Sequence, residues 1–228
     1  GDVTMDIVKE SQMGRVIAID GPSGAGKSTV SRRVAERLGF QFLDTGALYR
    51  AIGLYLLRKG VAFDVSEEGL TRALNNPEIV FRNGSVHLNG EDVSGEIRTT
   101  AAGEAASQFS ARKAVRDLLL SVQRSAAFTT DVVAEGRDIG TVVFPEAWRK
   151  FYLDASEEIR ARRRYLQLKA KGSEITMEEA MRDVKERDRR DASREIAPLR
   201  RADDALYIDT TRMELEAVIS VILRSVNC

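Results

Sequence analysis

One segment of the sequence dictates chemistry by residue type and spacing alone. Gly21-Pro22-Ser23-Gly24-Ala25-Gly26-Lys27-Ser28 satisfies the pattern G-x-x-x-x-G-K-[ST] and runs on into Thr29. Backbone N–H groups of such a loop converge on phosphate oxygens at the positive end of the helix that follows. Residues 21–29 are therefore expected to cradle the β- and γ-phosphates of a nucleoside triphosphate. Lys27 would neutralise oxygens of both phosphates, and the Ser28 hydroxyl would ligate Mg²⁺.

The acceptor of a transferred phosphoryl group is the next chemical question. No Asn-Lys-x-Asp segment occurs in the chain, which argues against a GTP switch. Transfer to a hydroxyl commonly uses an aspartate base, whereas an existing phosphate is already an anion and needs none. A phosphate acceptor calls for arginines instead. Arg50 and Arg137 each follow an expected strand, where ligands bind in open α/β sheets, and Arg194 is expected at i+7 from Arg187 and i+3 from Asp191, on one face of a single helix. The lone histidine, His87, falls in an alternating run that reads as a plain strand position. The lone cysteine, Cys228, can form no intramolecular disulfide and makes a cysteine nucleophile or metal site improbable.

The elements that must position these groups follow from pattern. Residues 16–19 are an apolar, β-branched-rich run ahead of the glycine cluster, as a central parallel strand should be. A helix is expected from Thr29, with Val30, Val34 and Leu38 on one face and Gly39 at its end. Residues 40–43 restart a strand, Asp44 is an N-cap candidate, and a second helix carries Leu48, Ile52, Tyr55 and Leu56 up to Gly60. This βαβα rhythm marks a parallel sheet covered by helices. It breaks at residues 79–88, where Asn83-Gly84 between two apolar runs predicts an antiparallel hairpin. Helix returns over residues 101–128, with Ser110 as an N-cap at a break. Strands at 131–134, 151–154 and 206–209 bring the parallel count to five.

With 228 residues, 43% hydrophobic and 31% charged, the chain has the balance of a globular protein able to bury a core. Its 35 Lys and Arg match 35 Asp and Glu, which argues against non-specific attachment to nucleic acid or an anionic membrane. No apolar run approaches a membrane span, and residues 217–223 read as a buried helix. The first 14 residues lack the apolar stretch of a signal peptide, so a cytoplasmic location is expected; a monomer is the default expectation for the oligomeric state. Neutrality hides a dipole: residues 160–201 hold 14 Lys and Arg against 8 Asp and Glu, a local +6. Such a stretch reads first as a solvated helical hairpin. Its preference for arginine, as in Arg162-Arg163-Arg164, suits phosphate recognition better than solubility.

Taken together, these segments resemble the cytidylate kinase family of nucleoside monophosphate kinases from about residue 14 to near the C-terminus. The resemblance rests on residues 19–28, on Asp44-Thr45-Gly46-Ala47-Leu48-Tyr49-Arg50, on residues 90–98, on Glu135-Gly136-Arg137-Asp138-Ile139-Gly140 and its continuation to Pro145, and on Lys185-Glu186-Arg187-Asp188. It implies ATP-dependent phosphorylation of CMP and dCMP. It also implies an α/β fold with a P-loop NTPase core, an antiparallel insert in the monophosphate-binding subdomain and a helical lid. Carried over residue by residue, it makes Thr45, Tyr49, Arg50, Arg137 and Arg194 ligands of the acceptor phosphate. Ser107, Arg116 and Asp138 would read cytosine, and Arg187 with Asp191 would hold the ribose. A carboxylate and a hydroxyl can accept from the cytosine N4 amino group, while a guanidinium meets N3 and O2. Uracil presents an acceptor at the same position and would leave Asp138 unpaired. Arg187, Arg190 and Arg194 would close over the transferring phosphoryl group.

The same comparison divides the chain into an N-terminal extension (1–14), core (15–62), monophosphate-binding subdomain (63–128), core (129–156), lid (157–201) and a final core strand and helix (202–228). Two other readings stay open on sequence: a kinase of this fold with a hydroxyl acceptor, and a P-loop ATPase that places its basic segment on nucleic acid. No aromatic interleaves residues 187–201 to stack on bases.

Overall fold

The computed structural model describes residues 13–82 and 84–228. The expected extension and Asn83 at the hairpin turn thus lie largely or wholly outside the described residues. In chain order the elements are β1 (Val16–Asp20), α1 (Lys27–Leu38), β2 (Gln41–Asp44), α2 (Thr45–Arg58), α3 (Glu67–Leu74), β3 (Ile79–Arg82), β4 (Ser85–Leu88), β5 (Glu91–Asp92), α4 (Thr100–Phe109), α5 (Lys113–Ala126), β6 (Val132–Gly136), β7 (Arg149–Asp154), α6 (Glu157–Ala170), α7 (Met177–Ser193), β8 (Leu206–Asp209) and α8 (Leu215–Val226). A single π-helical turn spans Ile139–Val143.

Five strands form one parallel sheet in the order β2-β6-β1-β7-β8, and β3-β4-β5 form a separate antiparallel sheet. The period-2 geometry of β1 explains its continuous apolar run, because each face of the central strand is buried against a different layer. Val16 and Ala18 join the core cluster that includes α2, α4, α5 and the hairpin, through residues such as Leu48, Ile52, Phe109, Leu119, Val86 and Leu88. Ile17 and Ile19 join the opposite cluster, with Val30 and Val34 of α1 and Val218, Ile219 and Ile222 of α8. The hairpin insert therefore shares one continuous core with the sheet.

The hairpin pairs as its alternation predicts, Ile79 opposite Leu88 and Arg82 opposite Ser85, and His87 sits in β4 between Val80 and Asp92. Asp44 caps α2 through Ala47 N, and Gly39 ends α1 in the left-handed conformation.

Other expectations need correcting. The helix after the glycine loop begins at Lys27, two residues early. Ser110 does not start a helix: it ends α4, and its hydroxyl donates to the Ser107 carbonyl, leaving Arg112 at the start of α5 with no side-chain cap. A short hydroxyl side chain serves the carbonyl three residues back as readily as an amide ahead of it. Helix α3 is an addition, announced by Ser66 ahead of Glu67 and Glu68, with the Ser66 hydroxyl accepting from Gly69 N. Helix α7 stops at Ser193, so Arg194 lies just beyond it in extended conformation rather than on its face. Pro198, which cannot continue a helix, follows shortly, and the chain folds back with Leu199 N donating to the Asp191 carbonyl. Among the described residues, no helix is long and apolar enough to cross a membrane.

Candidate active site

The loop after β1 has the conformation the motif demands. Gly26 takes φ 83°, ψ 11° at the entrance to α1, and an added Cβ there would meet nothing within 4 Å. Its requirement is thus conformational rather than steric. Lys27 is only 6% exposed, and its Nζ folds back over the loop to donate to the Pro22 carbonyl at 2.8 Å. Burial, and then the nearby Arg137 charge, push its pKa down to about 7, while Glu135, Asp191 and Asp20 work against that shift. Ser28 is half-buried in the first turn of α1, and Thr29 is exposed. Two arginines of α6 brace the loop from outside. Arg160 donates to the Ser23 carbonyl at 3.4 Å and forms a two-pronged pair with Asp188 of α7 at 2.9 and 2.8 Å. Arg163 reaches the Gly24 carbonyl at 3.4 Å and also holds Thr210 beyond β8.

The end of β6 lies beside this loop, since Asp20 is in register with Gly136. Gly136 is a close-approach position: a Cβ there would stand 2.6 Å from the Thr45 hydroxyl. That hydroxyl, expected to face the acceptor phosphate, donates to the buried Glu135 carbonyl at 2.7 Å, which leaves its lone pairs available. Burial, reinforced by Asp44, raises the Glu135 carboxyl to about 7.

Arg137 follows. Its Nε donates to Asp191 of α7 at 2.9 Å, and Asp191, despite the burial that opposes the charge, holds Arg137 above its ordinary pKa. Asp191 thus bridges two of the arginines expected at the acceptor phosphate, because its other oxygen lies 3.5 Å from Arg194 Nη2. That separation is within ion-pair range but outside hydrogen-bond geometry. The Arg194 side chain is 8% exposed, and its Nε and Nη2 have no hydrogen-bond partner. Burial lowers the pKa of Arg50, Arg187 and Arg194 alike, and neighbouring guanidiniums add to the effect: Arg98, Arg187 and Arg164 on Arg50, Arg164 and Arg137 on Arg187, and Arg116 and Arg137 on Arg194. Like charges gathered and desolvated in this way call for an anion.

The expected base readers also meet. Arg116 of α5 and Asp138 pair directly, their side chains 7% and 6% exposed. Burial nevertheless leaves the Asp138 carboxyl above its ordinary pKa, against the pull of Arg116 and Arg194. The Arg116 guanidinium also lies 5.6 Å from the centre of the Tyr49 ring. Burial pushes the Tyr49 hydroxyl up to about 12. Ser107 is reached from across the cleft by Arg190 of α7, whose Nη1 donates to its hydroxyl at 2.9 Å while Nη2 lies 3.5 Å from Glu104. Arg190 therefore contacts one of the expected base readers in this structure rather than the phosphate loop.

Several contributors were given no site role by the sequence. Arg160, Arg163, Asp188 and Arg164 brace the site, the last sharing Asp183 with Arg187. Asp20 binds the segment after β6. The arginine triplet and the Arg187-Asp188 pair were visible signals, but which arginine faces the loop depends on how α6 packs.

The donor set suits Mg²⁺. Ser28 offers a hard hydroxyl oxygen, and among the described residues no three His, Cys, Asp or Glu side chains gather into a closed cage. Mg²⁺ usually keeps waters and phosphate oxygens rather than an all-protein shell, and one protein oxygen beside a phosphate loop fits that habit.

Comparison with known proteins identifies the family of the chain. The family model described as cytidylate kinase matches residues 17–228. A cytidylate kinase of Thermodesulfovibrio yellowstonii is 56% identical over 218 residues, covering 94% of this chain and 98% of that protein. One from Thermosipho melanesiensis is 48% identical over 211 residues, covering 92% and 96%. Among solved structures, an uncharacterised protein of Eubacterium ventriosum shares the fold at TM-score 0.50 and 10% identity, over 93% of this chain and 98% of that one. With relatives this similar spanning nearly the whole sequence, the chain belongs to the cytidylate kinase family.

Proposed function

We propose that the two halves of this site hold two nucleotides end to end, and that the chain transfers the γ-phosphoryl group of ATP to the phosphate of CMP or dCMP. The protein is a nucleoside monophosphate kinase of the cytidylate kinase family. The observation that carries the acceptor assignment is the partly buried arginine cluster of Arg50, Arg137, Arg187 and Arg194, in which two Arg194 nitrogens lack hydrogen-bond partners. A monophosphate supplies the missing anion.

In this reading the backbone of residues 21–29 and Lys27 bind the β- and γ-phosphates. Mg²⁺, held by Ser28, would supply charge neutralisation of the phosphate oxygens. Arg137, Arg187 and Arg194 orient the acceptor phosphate in line and stabilise the charge that develops during transfer. Arg190 joins them only on leaving Ser107. No side chain need act as base, because the acceptor oxygen is already anionic. Tyr49 and Thr45 flank the acceptor phosphate. Ser107, Arg116 and Asp138 meet the base, and Arg187 with Asp191 meets the ribose. Residues 63–128 carry most of the base contacts, and residues 157–201 act as the lid that excludes water. All these groups lie on one chain, as a monomeric enzyme requires.

Steady-state assays with CMP, dCMP, UMP and AMP test the assignment. CMP and dCMP are expected to exceed UMP by about 100-fold in kcat/KM, the scale of leaving buried polar groups unpaired. Equal turnover of UMP or AMP would remove the base assignment.

A further inference from the structure

Asp20 takes no part in the reading above, yet the segment that carries Arg137 and Asp138 hangs on it. It ends β1 immediately before the phosphate loop and is 4% exposed. Both its oxygens are engaged: Oδ1 accepts from Ile139 N and Oδ2 from Gly140 N, each at 2.8 Å. These two amides open the π-helical turn, where the first N–H groups have no partner within the turn itself. On the near side of Arg137 and Asp138, the Thr45 hydroxyl holds the Glu135 carbonyl at 2.7 Å. Strand β6 ends at Gly136, so the two residues lie past the sheet's own hydrogen bonds, on a short span pinned at both ends by side chains from elsewhere.

We propose that Asp20 is a positioning residue for acceptor recognition: its two-oxygen clamp on the Ile139 and Gly140 amides sets where Asp138 and Arg137 meet the base and phosphate of the nucleotide. The inference rests on the assignment of Asp138 to the base. A carboxylate is the side chain that fits, because two amide donors need two acceptor oxygens. Asparagine keeps the shape but turns an NH₂ group toward one of the donors. Gly140 gives a second handle on the clamp. An added Cβ there would crowd the Lys150 side chain at 3.1 Å and lie in ordinary contact with Asp20 Oδ2 at 3.4 Å, so it packs a methyl group and a displaced lysine stem beside the carboxylate without removing it.

The test is steady-state kinetics with CMP, UMP and ATP on Asp20→Asn, Gly140→Ala and Asp138→Ala, with the melting temperature of each. Asp20→Asn is expected to raise the KM for CMP about tenfold and to cut the CMP-over-UMP ratio of kcat/KM about tenfold, the scale of one buried donor left unpaired. The KM for ATP should stay within about twofold. Gly140→Ala should move both CMP quantities the same way by about threefold. A general loss of structure lowers activity on both acceptors together, so the ratio is the readout that a merely structural role would not move. If Asp20→Asn does not fold, Gly140→Ala decides alone. An unchanged ratio, or a KM for ATP that rises as far as that for CMP, overturns the inference. Loss of the ratio in Asp138→Ala beside an unchanged ratio in Asp20→Asn overturns the positioning role alone. An unchanged ratio in Asp138→Ala overturns the base assignment and the inference with it.

Discussion

The phosphate loop and the pocket proposed for the acceptor would both serve phosphate oxygens, but they are built by opposite means. The loop is nine consecutive residues, 21–29, whose ligands are chiefly backbone amides and one lysine. The pocket gathers Arg50 from α2, Arg116 from α5, Arg137 and Asp138 from beyond β6, and Arg187 and Arg194 from in and just past α7. Apart from Arg50, its charges arrive paired or shared: Arg137 and Arg194 with Asp191, Arg116 with Asp138, and Arg187, together with Arg164, with Asp183. A backbone site costs little to hold while empty, because amide dipoles do not repel one another as guanidiniums do. An arginine site needs carboxylates to stand in until its ligand comes, and those carboxylates then become part of its geometry.

The largest effect expected from breaking this comparison lies on the loop side. Lys27→Ala should lower kcat/KM for both nucleotides by about 1,000-fold, the scale of removing a charge aimed at the developing transition state. Thermal melting should change little, since the buried ammonium satisfies only the Pro22 carbonyl. A variant with near-normal turnover would show that the loop does not carry the transfer.

The pocket side should respond through stability. Arg116→Ala strands the buried Asp138 carboxylate and is expected to cost about 3 kcal/mol in denaturant unfolding. Combining it with Asp138→Ala should recover part of that loss, because both charges then leave together. Simple additivity of the two single variants would show that the buried pair has no coupling, and that the pocket is a loose collection of arginines.

The contrast also explains what could be read from sequence. The loop, β1, the cap at Asp44 and the hairpin at residues 79–88 were legible because each is set by neighbours in the chain: a positive φ, a short capping side chain, a period-2 alternation. Arg50, Arg137 and Asp138 were legible as candidates from their place after strands and from the resemblance. Their pairing was not. Nothing local says that Asp191 lies between Arg137 and Arg194, or that Arg160 rather than Arg162 turns toward Ser23, because those facts follow from how α6 and α7 pack on the sheet. Asp20 was overlooked for the same reason: its partners, Ile139 and Gly140, lie 119 and 120 residues away.

A smaller effect is expected where α7 meets α4. Arg190→Ala removes the link from α7 to Ser107 and Glu104, both contacts being partly exposed. It should raise the KM for CMP about threefold with the KM for ATP unchanged, an exposed-pair magnitude. An equal rise for ATP would place Arg190 over the phosphate loop instead.

The smallest and most discriminating effect is one of pH. Burial lifts the Asp20 carboxyl from 3.8 to about 6, against the two amides it binds, with Asp138 adding to the shift and Lys27 opposing it. Arg137, Glu135 and Tyr152 face the same carboxylate. A carboxyl whose pKa is raised on folding binds more protons in the native state, so its contribution to stability falls as pH rises from about 4 to about 6. Glu135, raised to about 7, has the same sign over a window reaching neutrality. The fold should therefore melt at higher temperature at pH 5 than at pH 7. Recognition should move the other way. Protonated Asp20 is a weaker acceptor for the Ile139 and Gly140 amides, and the span carrying Asp138 loosens. CMP and UMP carry the same phosphate, so their ratio cancels its titration, and the CMP-over-UMP ratio should fall about twofold as pH drops to about 6, where half of Asp20 is protonated. The loop side has no such dependence on the acceptor's base. If melting temperature and base discrimination instead rise together as the pH falls, protonation tightens the pocket, and the division between a self-sufficient loop and a carboxylate-held acceptor site is wrong.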